Sequence, residues 1–137
     1  MKTSARNQLS GKITEIISGA VMTEVKMEVS DSVHISALIT NEGKEALNFS
    51  VGDEISAIVK ASAIILTKTQ LKATARNNIK GIVEEVIKGA VNSEVKISVG
   101  QSRICAIITN DAVEDLEIKK GDSVYAIFKA SSVILVA

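Results

Sequence analysis

Proline and tryptophan are absent from this chain of 137 residues, which holds one cysteine, one histidine, one tyrosine and two phenylalanines. These scarcities close off several classes of protein. A single cysteine excludes an internal disulfide, and one cysteine with one histidine offers none of the paired spacings that hold zinc or another cationic metal. With aromatics at 2%, the stacking platforms of single-strand nucleic-acid binders have little to be built from. An excess of charge is missing too. The chain has 16 Lys and Arg against 16 Asp and Glu, whereas non-specific nucleic-acid binding draws on surplus positive charge. No stretch approaches the ~20 apolar residues of a membrane span. The start, Met1-Lys2-Thr3-Ser4-Ala5-Arg6, has no apolar run behind a basic head and so shows no secretory signal. A soluble cytoplasmic protein is expected.

What is present is a repeat. Ala5-Arg6-Asn7 recurs as Ala75-Arg76-Asn77, Gly11 as Gly81, Gly19-Ala20-Val21 as Gly89-Ala90-Val91, and Glu24-Val25-Lys26 as Glu94-Val95-Lys96, all 70 positions on. One extra residue in the first copy near Ser32 to His34 shortens the offset to 69. Ala37-Leu38-Ile39-Thr40-Asn41 then matches Ala106-Ile107-Ile108-Thr109-Asn110, and Lys60-Ala61-Ser62 matches Lys129-Ala130-Ser131. Such self-similarity marks a duplicated unit. The expected division is a first unit at 1–67, a polar linker at 68–72 and a second unit at 73–137. Units this small bury a small share of their surface alone, so pairing or assembly is expected.

Within each unit the apolar period is two, which reads as half-buried strand. Leu9, Gly11, Ile13 and Ile17 make one run. Val21 to Val29, Val33 to Ile39 and Ile55 to Val59 make three more, and Ala63 to Leu66 is a short fifth. Ser18-Gly19-Ala20 breaks the first two as a hairpin turn would. One short helix is predicted between the third and fourth runs, over Glu42 to Leu47 with Asn41 as N-cap, and again over Asp111 to Leu116 with Asn110. Five strands with a helix between the third and fourth suit an OB-type barrel. The predicted fold is therefore all-β, with two tandem OB-type five-stranded β-barrels, and a Greek-key barrel of another kind is the rival.

His34 is expected as a solvated strand residue and Cys105 as a small buried one. The set that repeats is different in character: an early arginine (Arg6, Arg76) with a hydroxyl (Ser4, Thr74), a Thr-Asn ending the third strand (Thr40, Thr109), and a late Lys-Ala-Ser. All are donors or cations, and a tetrahedral dianion held away from water needs about two positive charges with hydrogen bonds on most oxygens. Backbone N–H groups at turns can supply further donors.

These segments, in this order, resemble the Mop domain of molybdate-binding proteins, and the tandem arrangement is similar to molbindins with two Mop units per chain. The resemblance covers nearly the whole chain. It implies OB-type barrels, cytoplasmic binding of molybdate or tungstate without an organic cofactor, and a homotrimer of two-unit chains. It also implies oxyanion sites where units meet, drawing on Ser4, Arg6, Thr40, Lys60, Ala61 and Ser62, and on Thr74, Arg76, Thr109, Lys129, Ala130 and Ser131. A second class of site near a threefold axis would use the turns Gly19, Ala20 and Val21, and Gly89, Ala90, Val91 and Asn92. Two features depart from the family pattern. Gly43 and Ala112 stand where a hydroxyl is common, and Thr74 stands where Ser is usual.

The expected function is non-enzymatic storage and buffering of molybdate. No DNA-binding segment ahead of the first unit and no Gly-Lys-Ser/Thr nucleotide loop are seen, which argues against a transcriptional regulator and a transporter ATPase. The alternatives are an OB-fold single-stranded nucleic-acid module and a purely structural assembly subunit. The balanced charge favours no nucleic-acid partner, and no membrane partner is expected.

Overall fold

The computed structural model describes residues 3–137. Its first half runs β1 (Asn7–Ser18), β2 (Met22–Ser30), β3 (Val33–Thr40), α1 (Asn41–Leu47), β4 (Glu54–Val59), a single 3₁₀ turn at Ala61–Ala63 and β5 (Ile65–Thr67). The second half repeats the order as β6 (Asn77–Lys88), β7 (Asn92–Val99), β8 (Ser102–Thr109), α2 (Asn110–Asp115), β9 (Ser123–Phe128), a 3₁₀ turn at Ala130–Ser132 and β10 (Ile134–Val136). The alternation is the reason for the strands. Val25, Met27, Ile35, Ala37 and Ala57 are fully buried, and Val95, Ile97, Ala106 and Ala126 match them. No helix is long and apolar enough to cross a membrane among the described residues.

One long strand turns the corner of each sheet. Asn7 to Lys12 of β1 pairs with β4, while Lys12 to Ser18 pairs with β2. The β1–β2 register shifts between Ile13 and Glu15, as it does between Val83 and Glu85 in the other half. Such a bulge bends a strand and raises its twist. Beside the bend the paired strand comes close: a Cβ on Gly11 would lie 2.2 Å from the Glu28 carbonyl oxygen of β2, and one on Gly81 would lie 2.7 Å from that of Ser98 of β7. The repeated glycine is thus a close-approach position.

Sheet membership does not follow the sequence repeat. The two five-stranded sheets have the orders β10-β4-β1-β2-β3 and β5-β9-β6-β7-β8, so each half's last strand belongs to the other half's sheet. Leu66 of β5 pairs with Ala126, and Leu135 of β10 pairs with Ala57. Both leucines are buried in the shared core. The exchange answers the shortage of core in a small unit by merging two of them. The linker is held as well. Lys68 Nζ donates to the Glu117 carbonyl at 2.8 Å and lies 3.1 Å from Asp122 Oδ2. The Lys119 backbone N–H foremost, and then Lys68, keep the Asp122 carboxyl below the usual carboxylate range.

The N-caps differ by one residue from the sequence expectation. Thr40 and Thr109 cap the helices, their hydroxyls accepting from the N–H of Gly43 at 3.0 Å and of Ala112 at 3.1 Å. Asn41 and Asn110 form the first helical position instead, because their side chains are engaged elsewhere. Asn41 Oδ1 accepts from the buried Thr23 hydroxyl at 2.6 Å, and its Nδ2 donates to the Gly19 carbonyl at 3.0 Å. Asn110 repeats both bonds with Ser93 and Gly89. Each helix start is thereby tied to the adjacent hairpin turn.

Candidate functional site

Two clefts lie at the junction of the halves. The first, about 620 Å³, is lined by Ser4, Arg6, Lys60, Ala61 and Ser62 together with Ile107 from the second half. The second, about 600 Å³, is lined by Thr74, Arg76, Lys129, Ala130 and Ser131 together with Leu38 from the first. The exchanged strands explain the convergence. Each 3₁₀ turn carries a Lys-Ala-Ser and packs against the outer strand of the opposite half, Ala61–Ala63 on β8 and Ala130–Ser132 on β3. Ala61 and Ala130 are buried and anchor the turns, while Lys60, Ser62, Lys129 and Ser131 stay exposed. Both clefts are far larger than one tetrahedral oxyanion, so a single chain leaves each open.

The arginines are held by an asparagine beside each of them. Asn7 is buried, and its side chain bridges the β8 backbone: Nδ2 donates to the Cys105 carbonyl at 2.8 Å, and Oδ1 accepts from the Cys105 N–H at 2.7 Å. Asn77 does the same to Ser36 of β3, at 2.9 and 2.8 Å. These amides act as one extra residue of strand on an outer edge. In the sequence both asparagines stand out only as part of the repeated Ala-Arg-Asn. The structure makes them the first residues of β1 and β6 and the staples between halves. Their next-door arginines then reach across the junction. Arg6 Nη1 lies 3.2 Å from Glu94 Oε2, and Arg76 Nη1 lies 3.7 Å from Glu24 Oε2. These two glutamates were not expected at the site, although their recurrence in the Glu-Val-Lys repeat was a visible signal.

Other expected site residues lie apart from these clefts. Thr40 lines a separate cleft with Gly43, Ala46, Leu47 and the end of β10. Its hydroxyl and that of Thr109 are already used as acceptors by the helix caps. The turns at Gly19, Ala20 and Val21 and at Gly89, Ala90, Val91 and Asn92 form exposed hairpin tips. They are closed by Gly19 N–H to the Met22 carbonyl at 2.8 Å and Gly89 N–H to the Asn92 carbonyl at 2.9 Å. Val21 and Val91 project into solvent there.

Cys105 is buried, and burial foremost pushes its thiol up. A protonated thiol is a poor nucleophile. His34 is exposed, 3.9 Å from Glu28. Among the described residues no group of three His, Cys, Asp or Glu could hold a metal ion. What each cleft offers is one guanidinium, one ammonium and hydroxyls on a turn, a set fitted to an anion with several oxygen acceptors.

Comparison with known proteins points the same way. The TOBE domain profile matches the chain twice, over residues 3–66 and 73–135. The molybdenum transport protein ModE of Azotobacter vinelandii is 39% identical over 98% of this chain and 51% of its own length. The molybdenum-pterin-binding protein MopA of Rhodobacter capsulatus is 34% identical over 98% of this chain and 52% of its own. The DNA-binding transcriptional dual regulator ModE of Escherichia coli is 30% identical over a similar share. The chain thus spans about half the length of these relatives. A crystal structure of the cytoplasmic molybdate-binding protein ModG with molybdate bound superposes with a TM-score of 0.94, at 36% identity, covering 98% of both chains.

Proposed function

Since the chain belongs to the TOBE domain family, we propose that it binds molybdate or tungstate without catalysis, as a cytoplasmic store and buffer of the oxyanion. The observation that carries this is the double convergence of Arg with Lys-Ala-Ser, Arg6 with Lys60 to Ser62 and Arg76 with Lys129 to Ser131, in two clefts at one junction. The likeness to molybdate-bound ModG supports the choice of ligand. Arg and Lys supply the two charges that balance a dianion, and Ser62, Ser131 and turn N–H groups supply donors. In this view the duplicated units, 1–67 and 73–137 about the 68–72 linker, contribute one such site each. The open clefts are completed in a homotrimer, where a neighbouring chain brings further donors, Thr40 and Thr109 among them. The hairpin turns Gly19 to Val21 and Gly89 to Asn92 offer backbone for a second class of site.

Calorimetric titration with molybdate, tungstate, sulfate and phosphate tests the proposal. Sulfate has the same charge and shape but shorter bonds to oxygen, so a preformed ring of donors leaves it with stretched hydrogen bonds. Losing even one charged hydrogen bond of about 1.5 kcal/mol weakens binding by about tenfold. Molybdate and tungstate are expected to bind at least that much more tightly than sulfate. Equal binding of sulfate, or no molybdate binding by the trimer, would refute it. Light scattering on the same sample is expected to give three times 14.5 kDa, and the mass of one chain would remove the completed site.

A further inference from the structure

The two glutamates that meet the arginines are not in the donor set, and their sign is wrong for anion ligands. Glu94 stands directly opposite Ile107 in the β7–β8 pair, and Glu24 directly opposite Leu38 in the β2–β3 pair. Directly opposed residues share a sheet face. Ile107 lines the first cleft and Leu38 the second, so each carboxylate lies on the face that borders a cleft. The pairing is reciprocal: Glu94 of the second half meets Arg6 of the first, and Glu24 of the first meets Arg76 of the second. Among the described residues neither glutamate has another ion-pair partner. Both side chains are mostly covered, at 17% and 14% exposed, while Arg6 and Arg76 are 57% and 66% exposed.

We infer that Glu24 and Glu94 are built-in counter-carboxylates that share each arginine with a bound oxyanion and so lower the affinity of the site. This rests on the oxyanion function proposed above. With Arg and Lys alone a cleft would carry two positive charges, matching a dianion. With the glutamate it carries one, and a bound dianion must lie near a fixed charge of its own sign. Each contact uses one terminal nitrogen, Nη1. The guanidinium has five N–H donors, so the remaining ones can still serve the anion. The carboxylate therefore does not block the site. It weakens the hold on a dianion, as a store that must release its contents requires, and it penalises a dianion more than a monoanion.

The test is Glu94→Gln and Glu24→Gln, singly and together, titrated with molybdate and with perrhenate, a tetrahedral monoanion of similar size. Glutamine keeps the shape and an acceptor for the arginine while removing the charge, and circular dichroism and mass serve as folding controls. Coulomb repulsion is linear in the ligand's charge, so in near-aqueous surroundings the gain for molybdate should be about five- to tenfold per substituted site. For perrhenate it should be about the square root of that, two- to threefold. The single variants should tighten one class of cleft each. Unchanged or weaker binding of both anions would overturn the inference, since a carboxylate that merely positions the arginine predicts a loss. Equal gains for the two anions would overturn it as well, because no charge effect would then be at work. If the wild-type protein takes up neither anion, the oxyanion function itself fails and this inference falls with it.

Discussion

Replacing Asn7 with Ala is expected to lower the stability of the fold by about 2–5 kcal/mol, because it strips the partner from two buried backbone groups at once. Among the described residues the Cys105 N–H and carbonyl bond that side chain across the junction, and each buried group left unsatisfied costs about 1–3 kcal/mol. Against a total stability of roughly 5–15 kcal/mol this is a large share. In a chain of this size a melting point falls by roughly 3–4 °C per kcal/mol, so a drop on the order of 10 °C should be read by calorimetry. Asn77→Ala should cost less, because Ser36 is only half-buried and water can replace part of the loss. A smaller effect for Asn7 than for Asn77, or none for either, would show that the staples do not hold the halves together.

Arg6→Ala with Arg76→Ala is expected to abolish oxyanion uptake in the two clefts while leaving a folded protein. Each truncation removes one charge and up to two hydrogen bonds from a bound dianion. Losing a charged partner costs about 3–5 kcal/mol in a dry site and less where water enters. Both arginines are more than half exposed in one chain, so about 2–4 kcal/mol is the expected loss, roughly 30- to 800-fold in Kd. The fold should survive, since both arginines are more than half exposed and water can reach the unpaired Glu94 and Glu24 carboxylates, which keeps the cost to about 1–2 kcal/mol per pair. Arg→Lys at the same positions should fall between, keeping the charge without the planar fork. The readout is molybdate stoichiometry, with circular dichroism and mass as controls. Unchanged stoichiometry and affinity in the double variant would remove Arg6 and Arg76 from the site.

The strands were legible because burial follows a local period. Val25 and Met27 sit inside, with Lys26 between them more open, and the duplication announced that the same would happen at Val95 and Ile97. The destination of the fifth strand was not legible. Ile65-Leu66-Thr67 is three residues long, and an alternation that short fits either of two closely similar sheets. The choice is made by the packing of the 3₁₀ turn before it, a contact between distant parts of the chain. The helix cap was misplaced by one because Thr40 and Asn41 are both good N-caps. Only the demand of Thr23 and Gly19 on the Asn41 side chain separates them.

The same limit governs the site. Arg6 with Lys60, Ala61 and Ser62 could be grouped because chemistry recurred with them in both units, and one cleft lines all four. Glu24 and Glu94 could not, since strand alternation turns them away from the core and makes them resemble ordinary solvated charges. The arginines that meet them come from the opposite half, which no local pattern records. The role of Asn7 was hidden for a related reason. Nothing local marks a polar residue beside a cation as a staple, since its partner is 98 positions away.

The most direct measurement is anomalous scattering at the molybdenum edge from crystals of the protein grown with molybdate. Molybdenum is expected between Arg6 and the Lys60–Ser62 turn, and again between Arg76 and the Lys129–Ser131 turn. Molybdenum confined to the hairpin tips at Gly19 to Val21 and Gly89 to Asn92, or absent from both clefts, would contradict the account.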